Sequence, residues 1–538
     1  MTQAFTRQLG SEPGVQLNPL RDNSEIPATG QSDQVIGIIM RSTRGRIDKP
    51  FLVDRGNVMR RLGHGESTRV SALNEAWVHV IEALNSGAYQ AVVQRLSTSA
   101  ASIKWAVASA DLLSFSISDD LPTGDFFLAV KHLECHNDGI KLAIHAEQKS
   151  TGGVDVANDK ITLSIRDSKD ELLFQFYGSL NPGGKDDYGQ SSFLPDIVSR
   201  FTDAVIVEIN ANASVVQPDS SAYGYASSGK EKAASSDILL CFDEGGMAYE
   251  TEDYAAARAK LQYSPNDYGY IVSGGTQNSA LLAQLAQLAF DTNRQLKFDV
   301  YGGLDVDAAI AFLEQLNMQG SQTAHLMHAY YAPLKSDDPT GINGKGFFGT
   351  SALNAALCCG RNAQTNTQGF APKNFPVAGR EWPIRRTGIV QMFTPSDQDL
   401  NKLARAKINP VLFDTYSGGG RFVFRDSITC AGVENSLKKL IAVADMSCHI
   451  DDAVTRAGKD FLQLPMDLSV KRMTAYLESL FSGALAAGWL VSRGGSPYQY
   501  EVKPNQMRPY DRMDCSYWLS YDGTNRQTFV TQTLSRGT

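Results

Sequence analysis

YGYIVSGGTQNSALLAQLAQLAFDTNRQLKFDVYGGLDVDAAIAFLEQLNMQGSQTAHLMHAYYAPL, residues 268–334, decides how this chain folds. A β-prone run at 268–273 leads through a Gly274-Gly275 turn into Leu281, Leu285 and Leu288, which share one face at helical spacing. Residues 297–301 read as a second strand. Asp305 then stands at an N-cap position before an apolar helix reaching Leu316, and 325–334 reads as a third strand. Strand, helix, strand, helix, strand in this order predicts a parallel or mixed sheet covered by helices.

Working outward, the same layer resumes near the N-terminus. VIGIIM (35–40) is a β-rich run, and Val70, Leu73, Trp77, Val80, Ile81 and Leu84 hold a spacing of three and four. Ser67 or Thr68 is the expected cap of that helix, Gly87 its end, and 89–96 the next strand. From 97 to 246 the pattern changes to short alternating strands, at 114–117, 126–132, 140–146, 161–166, 172–177 and 204–209, with helical periodicity nearly absent. A Ser-, Ala- and Gly-rich stretch at 214–236 borders it, as expected of an inserted domain. Downstream, 411–416 and 421–428 flank Ser417-Gly418-Gly419-Gly420, a hairpin signal. Two helices follow, at about 434–463 and 467–488, and then a strand at 498–502.

The expected fold is therefore α/β (α+β) and multidomain. An α/β core sheet is built from residues 34–96 and 247–520, a β-rich outer domain of 97–246 is inserted into it, and 1–33 and 521–538 are extended arms. In the first arm Gly14, Val15, Gln16, Leu17 and Asn18 form a short extended candidate; in the second, residues 525–534 are β-prone without helical period. A terminal strand of this kind needs a sheet edge, in its own subunit or in a neighbour.

Composition narrows the function. At 538 residues the chain has room for roughly three or four domains. Apolar residues at 42% and charged residues at 20% describe an ordinary globular protein, and a net charge of −8 with no dense Lys/Arg run argues against nucleic acid and against a polybasic membrane surface. The N-terminus shows no apolar leader, and no run approaches the roughly 18 apolar residues that cross a bilayer. Seven cysteines without paired spacing are expected to be reduced thiols.

Catalytic chemistry finds no support. Gly274-Gly275 before a helix lacks the spacing of a phosphate loop, and Ser417 to Gly420 is better explained as a turn. Glu134-Cys135-His136 and Cys448-His449 place soft ligands side by side, whereas zinc sites show spaced pairs, so both read as packing or surface residues. Cys358-Cys359 follow an apolar helix from Ser351 and read as core. Asp186-Asp187 and Asp451-Asp452 read as turn and cap residues, and no G-x-S-x-G elbow is present. No catalytic residue, cofactor site or metal site is expected.

Several segments, in order, resemble the contractile tail sheath proteins: VIGIIMRSTRGRIDKPFLVDRGNVMRRLG (35–63), ITLSIRDSKDELLFQFYGSLNPGGKDDYGQSSFLPDIV (161–198), DYAAARAKL (253–261), YAPL (331–334), GFAPKN (369–374), INPVLFDTYSGGGRFVFRDSITC (408–430) and FSGALAAGWL (481–490). The resemblance implies a structural, non-enzymatic subunit that stacks in rings of six around a tail tube and contracts to drive the tube through a target envelope. Its partners would be further copies of itself, the tail tube protein, and baseplate and terminator proteins, in a virion tail assembled in a host cytoplasm. On this reading Gly14, Val15, Gln16, Leu17 and Asn18, with Arg526, Gln527, Thr528, Phe529, Val530, Thr531, Gln532, Thr533 and Leu534, exchange strands between subunits, and Lys471 and Arg472 face the tube. A tailocin or secretion-system sheath is the nearest alternative, and an α/β small-ligand enzyme or a capsid or tube protein the more distant ones.

Overall fold

The computed structural model describes residues 32–109, 114–151, 154–186, 188–210, 233–234 and 238–532. Gly14, Val15, Gln16, Leu17 and Asn18 at one end, and Thr533 and Leu534 at the other, lie outside the described residues.

The N-terminal part supplies β1 (Val35–Met40), β2 (Phe51–Val53), α1 (Val58–Leu62), α2 (Glu75–Ser86) and β3 (Gln90–Arg95). The next stretch contains β4 (Ser102–Ile103), β5 (Trp105–Ser109), β6 (Phe115–Ser118), β7 (Phe126–His132), β8 (Ile140–Thr151), β9 (Val154–Asp167), β10 (Leu172–Ser179), α3 (Leu194–Phe201), β11 (Val205–Ile209), β12 (Ala233–Ala234) and β13 (Phe242–Asp243). Then come α4 (Thr251–Gln262), β14 (Tyr270–Val272), α5 (Ser279–Thr292), β15 (Gln295–Val300), α6 (Val306–Gln315), β16 (Met327–Tyr331) and β17 (Leu334–Lys335). The C-terminal part adds α7 (Ser351–Asn362), β18 (Val390–Gln391), α8 (Asp397–Arg405), β19 (Ile408–Tyr416), β20 (Gly419–Phe424), α9 (Ile441–Asp460), α10 (Met466–Ala486), β21 (Tyr498–Pro504) and β22 (Met513–Leu519).

Eight strands in the order β2-β3-β1-β14-β15-β16-β19-β20 make the central sheet. The six inner strands run parallel, and β2 and β20 close the two edges antiparallel. The sheet is thus assembled from both ends of the chain, with the β4–β13 region inserted between β3 and α4. Inner strands are buried on both faces; β1 and β14 read as continuous apolar runs, whereas β15 buries Lys297 and Asp299, which bond to Asn354 and the Ser351 amide. Along β1, Val35 and Ile39 join one core with Leu281, Leu285, Leu288 and Leu296. Ile36, Ile38 and Met40 point the other way, to Trp77, Val80, Ala352 and Ala356.

The inserted stretch forms two four-stranded sheets, β10-β9-β8-β12 and β11-β7-β5-β6, which share a core containing Phe127, Leu128, Ile140, Leu142, Ile161, Leu163 and Val207. Helix α3, which the alternating pattern did not suggest, covers part of that core with Leu194 and Val198.

Two helix starts differ from expectation. Helix α2 begins at Glu75 rather than beside Ser67 or Thr68, and Val70 is 57% exposed. Asn343 Oδ1 instead takes the Thr68 amide at 3.0 Å and the Ser67 hydroxyl at 3.1 Å, so those residues fasten a distant loop instead of capping a helix. Helix α9 begins at Ile441, because the preceding residues are drawn into contact with Thr429, whose amide donates to Lys439 O at 3.0 Å.

Candidate assembly surfaces and the junction between core and insert

Beyond the sheet, α9 and α10 form a helical hairpin whose core is Met446, Ile450, Met473, Leu477 and Phe481. The β21–β22 ribbon lies on α10, with the Phe481 ring 5.7, 6.0 and 5.5 Å from the rings of Tyr498, Tyr500 and Tyr517. The Tyr498 and Tyr500 hydroxyls both donate to Glu478 at 2.9 Å. Pairing runs from Tyr498↔Leu519 to Pro504↔Met513, and among the described residues neither outer edge of this ribbon has a partner strand.

From the ribbon the chain returns past Trp489, which accepts the Asp522 amide at 3.1 Å. Arg526 is then clipped to Asp426, Nε to Oδ1 at 2.8 Å, just beyond β20. Residues 524–527 border a cleft also lined by Leu400, Pro410 and Asp426. No backbone group of 524–532 is hydrogen-bonded among the described residues. Phe529 is 91% and Val530 88% exposed. The part of the predicted C-terminal strand that is described, Arg526 to Gln532, is therefore paired with no strand among the described residues.

Lys471 and Arg472 are exposed on α10 and carry no ion pair among the described residues. They sit on an outward stripe with Leu468, Ala475, Ser479 and Ser482, opposite the buried Met473, Leu477 and Phe481.

The sequence motifs weighed for chemistry find structural roles. Gly274 and Gly275 both have positive φ, +64° and +76°, and a Cβ on Gly275 would stand 2.4 Å from the Glu75 carboxyl carbon. A carboxylate thus occupies the space in which a phosphate would have to sit, and Glu75 is engaged there by the Gly349 amide at 2.8 Å. Asp186 accepts the Tyr188 and Gln190 amides at 2.9 and 2.8 Å, a turn role. Asp452 pairs with Arg294 and Arg456, both at 2.9 Å, and Asp451 accepts from Tyr517. Cys448 is buried on α9, and all seven cysteines are unpaired.

A buried ionic cluster locks the helical hairpin to the sheet. Asp33 meets His449 at 2.7 Å and Lys373 at 3.0 Å. Lys373 also reaches Asp445 at 3.1 Å, and Asp445 takes further bonds from Arg361 and from the Tyr270 hydroxyl at 3.0 Å. Burial alone would raise both carboxyls, but Lys373 with His449, and Lys373 with Arg361, hold Asp33 and Asp445 well below the usual carboxylate range.

At the junction between core and insert, arginines that follow β1 enter the inserted stretch. Arg44 pairs with Asp138 and Asp167, Arg46 with Asp203, and Arg41 with Glu244. Backbone bonds join the same surfaces: the Gly45 amide to Glu134 O at 2.7 Å and the Asn137 amide to Thr43 O at 2.9 Å. In this turn the structure brings His132 to Glu134 and His136, and atoms of all three side chains lie within 4.8 Å of one another. The sequence reading weighed only Glu134-Cys135-His136; the signal it passed over was the every-second-residue spacing of His132-Leu133-Glu134-Cys135-His136.

No protein-family model matches the chain, and no curated protein does. Among solved structures it is similar to a sheath tail protein of Desulfitobacterium hafniense, at 13% identity and a TM-score of 0.48, covering 91% of this chain and 93% of that one. A sheath tail protein of Listeria innocua aligns at 9% identity and a TM-score of 0.46, over 91% and 98%. The contracted PVC sheath complex of an extracellular contractile injection system aligns at 14% identity and a TM-score of 0.40, over 51% and 74%.

Proposed function

We propose that this chain is a structural sheath subunit of a contractile injection machine, without enzymatic activity, which polymerises in stacked rings of six around an inner tube and contracts to drive that tube through a target envelope. The observation that carries the reading is a pair of unmatched parts. Among the described residues, a two-stranded ribbon on the helical hairpin has two open edges, and the C-terminal segment to Gln532 has no backbone partner, with Phe529 and Val530 exposed. Helix α10 supports one face of the ribbon, and its edges still present unpaired backbone groups to which further strands can add. The order of sheath-like segments along the sequence supports the same reading.

In this assembly Arg526 to Leu534 of one subunit add to a ribbon edge of the next, and Gly14 to Asn18 of another subunit add to the other edge. Main-chain bonds give such links affinity with little demand on side chains, each worth about 0.5–1.5 kcal/mol net. A head-to-tail contact of this kind repeats into a helix. The strands hold while the folded bodies, made of 34–96 with 247–520 and decorated by 97–246, rotate as units about the arms. The stripe bearing Lys471 and Arg472 faces the tube, and baseplate and terminator proteins cap the ends of a phage tail.

Removing residues 526–538 tests the reading. The truncated chain is expected to stay folded and monomeric under conditions in which the full chain forms tubes or rings by electron microscopy. Normal polymers from the truncated chain would reject the strand-exchange role.

A further inference from the structure

We infer that His132, Glu134 and His136 form a binding site for one transition-metal dication of the zinc class, seated where the insert meets the core sheet. The proposal is independent of how the subunits assemble.

Three observations carry it. The first is convergence: His132 Nε2 lies 3.8 Å from Glu134 Oε2, and the two imidazole rings meet edge to face with centroids 4.8 Å apart. Ligand atoms around a tetrahedral zinc stand about 3.4 Å apart, so side-chain rotations alone close the set. The second is burial, at 2%, 3% and 2% exposure for the three residues. The third is that His132 Nε2, Glu134 Oε2 and both nitrogens of His136 have no hydrogen-bond partner among the described residues. Most buried polar groups in native interiors find a partner, and here four unmatched atoms from three side chains converge in one place.

The surroundings suit a cation of this kind. Two imidazoles and one carboxylate select zinc-like ions over calcium or magnesium, which prefer all-oxygen shells. Arg61 pairs with the far oxygen of Glu134, Oε1, so it orients the carboxylate and leaves Oε2 for the metal. Arg44 and Arg46 are nearby, but their charge is already matched by Asp138, Asp167, Asp48 and Asp203. Cys135 takes no part: its thiol donates to Leu133 O at 3.2 Å. A water fills the fourth position. Bound metal would fasten the 133–137 turn, which the core already grips through Gly45, Thr43 and Arg95, and would brace the junction between insert and sheet.

The full-length chain, stripped with a chelator and titrated with Co²⁺, tests this. One cobalt per chain, a visible ligand-field band and an unfolding temperature raised by a few degrees are expected. His132→Gln and His136→Gln should each weaken cobalt binding at least about tenfold. No stoichiometric uptake of cobalt or zinc by the native chain overturns the site, and so does unchanged affinity in both variants. If a variant fails to fold, X-ray absorption of the zinc-loaded native chain decides. A nitrogen and oxygen shell with imidazole scattering supports the assignment, and sulfur in the shell overturns it.

Discussion

Asp445 is the residue on which the helical hairpin is pinned. Its carboxylate receives Arg361, Lys373 and the Tyr270 hydroxyl in a buried site, so replacing it leaves two cations with only Asp33 to oppose them. Asp445→Asn is expected to cost about 3–5 kcal/mol, measured by denaturant unfolding, since breaking a buried pair strands its partners. The same cluster sets an acid limit. Folded Asp33 and Asp445 titrate lower than the roughly 3.9 of an unfolded aspartate, so their contribution is complete above about pH 4 and declines as pH falls through the folded values. In Asp445→Asn the loss of stability below pH 4 should be shallower than in the native chain; an equal slope would remove Asp445 from the acid transition. Residues whose role is local were legible from sequence: Asp305 caps α6 and accepts the Ala308 amide at 2.8 Å, and Gly87 ends α2. The ionic cluster was not, because its partners are as far apart as Asp33 and His449, 416 positions along the chain. His132, Glu134 and His136 stand at a spacing of two that is visible in the sequence, but it differs from the wider pair spacings that mark zinc fingers.

Elements were read best where one physical signal dominates. Strands β1 and β14 declared themselves by unbroken apolar runs, and the hairpin by its glycines: Tyr416 pairs with Gly419 across a two-residue turn. Strand β22 was missed although Met513, Cys515, Tyr517 and Leu519 alternate toward the hairpin core, because Trp518 interrupts the polar face and no residue is fully buried. That partial burial is what an element awaiting a further neighbour shows. On the proposed reading, helix α10 carries a folding face and an assembly face within a single element. Its inner face holds Phe481 against three tyrosines of the ribbon, whereas Lys471 and Arg472 lie outside. Lys471→Glu with Arg472→Glu is expected to leave unfolding within about 0.5 kcal/mol, as exposed changes do, while weakening co-assembly with the tube. Phe481→Ala should cost about 3–5 kcal/mol and loosen the ribbon. Tube co-sedimentation alongside thermal melts reads both, and a charge-reversed chain that still co-assembles fully would place the tube on another face.

For the molecule as a whole, the question is whether the insert is separable. It has a core of its own, which argues that the sheet folds without it. The junction argues that the sheet would not be left unharmed. Arg44, Arg46 and Arg95 are almost fully buried against the insert, and Arg95 donates to the backbone of Cys135 and to Asn137 Oδ1 at 2.7 Å. Replacing 97–246 by a short linker therefore exposes arginines shaped for partners that are gone, and it removes Phe242, whose ring covers the Arg95 guanidinium at 4.6 Å. The deletion is expected to keep the α/β circular dichroism of the core but to unfold several degrees lower. Adding Arg44→Ser, Arg46→Ser and Arg95→Ser to the same deletion should recover part of that loss, because serine side chains need no carboxylate once the junction is open to water. If both deleted chains aggregate, the sheet depends on the insert for its folding, and the proposed moving body then includes the insert instead of carrying it as a decoration.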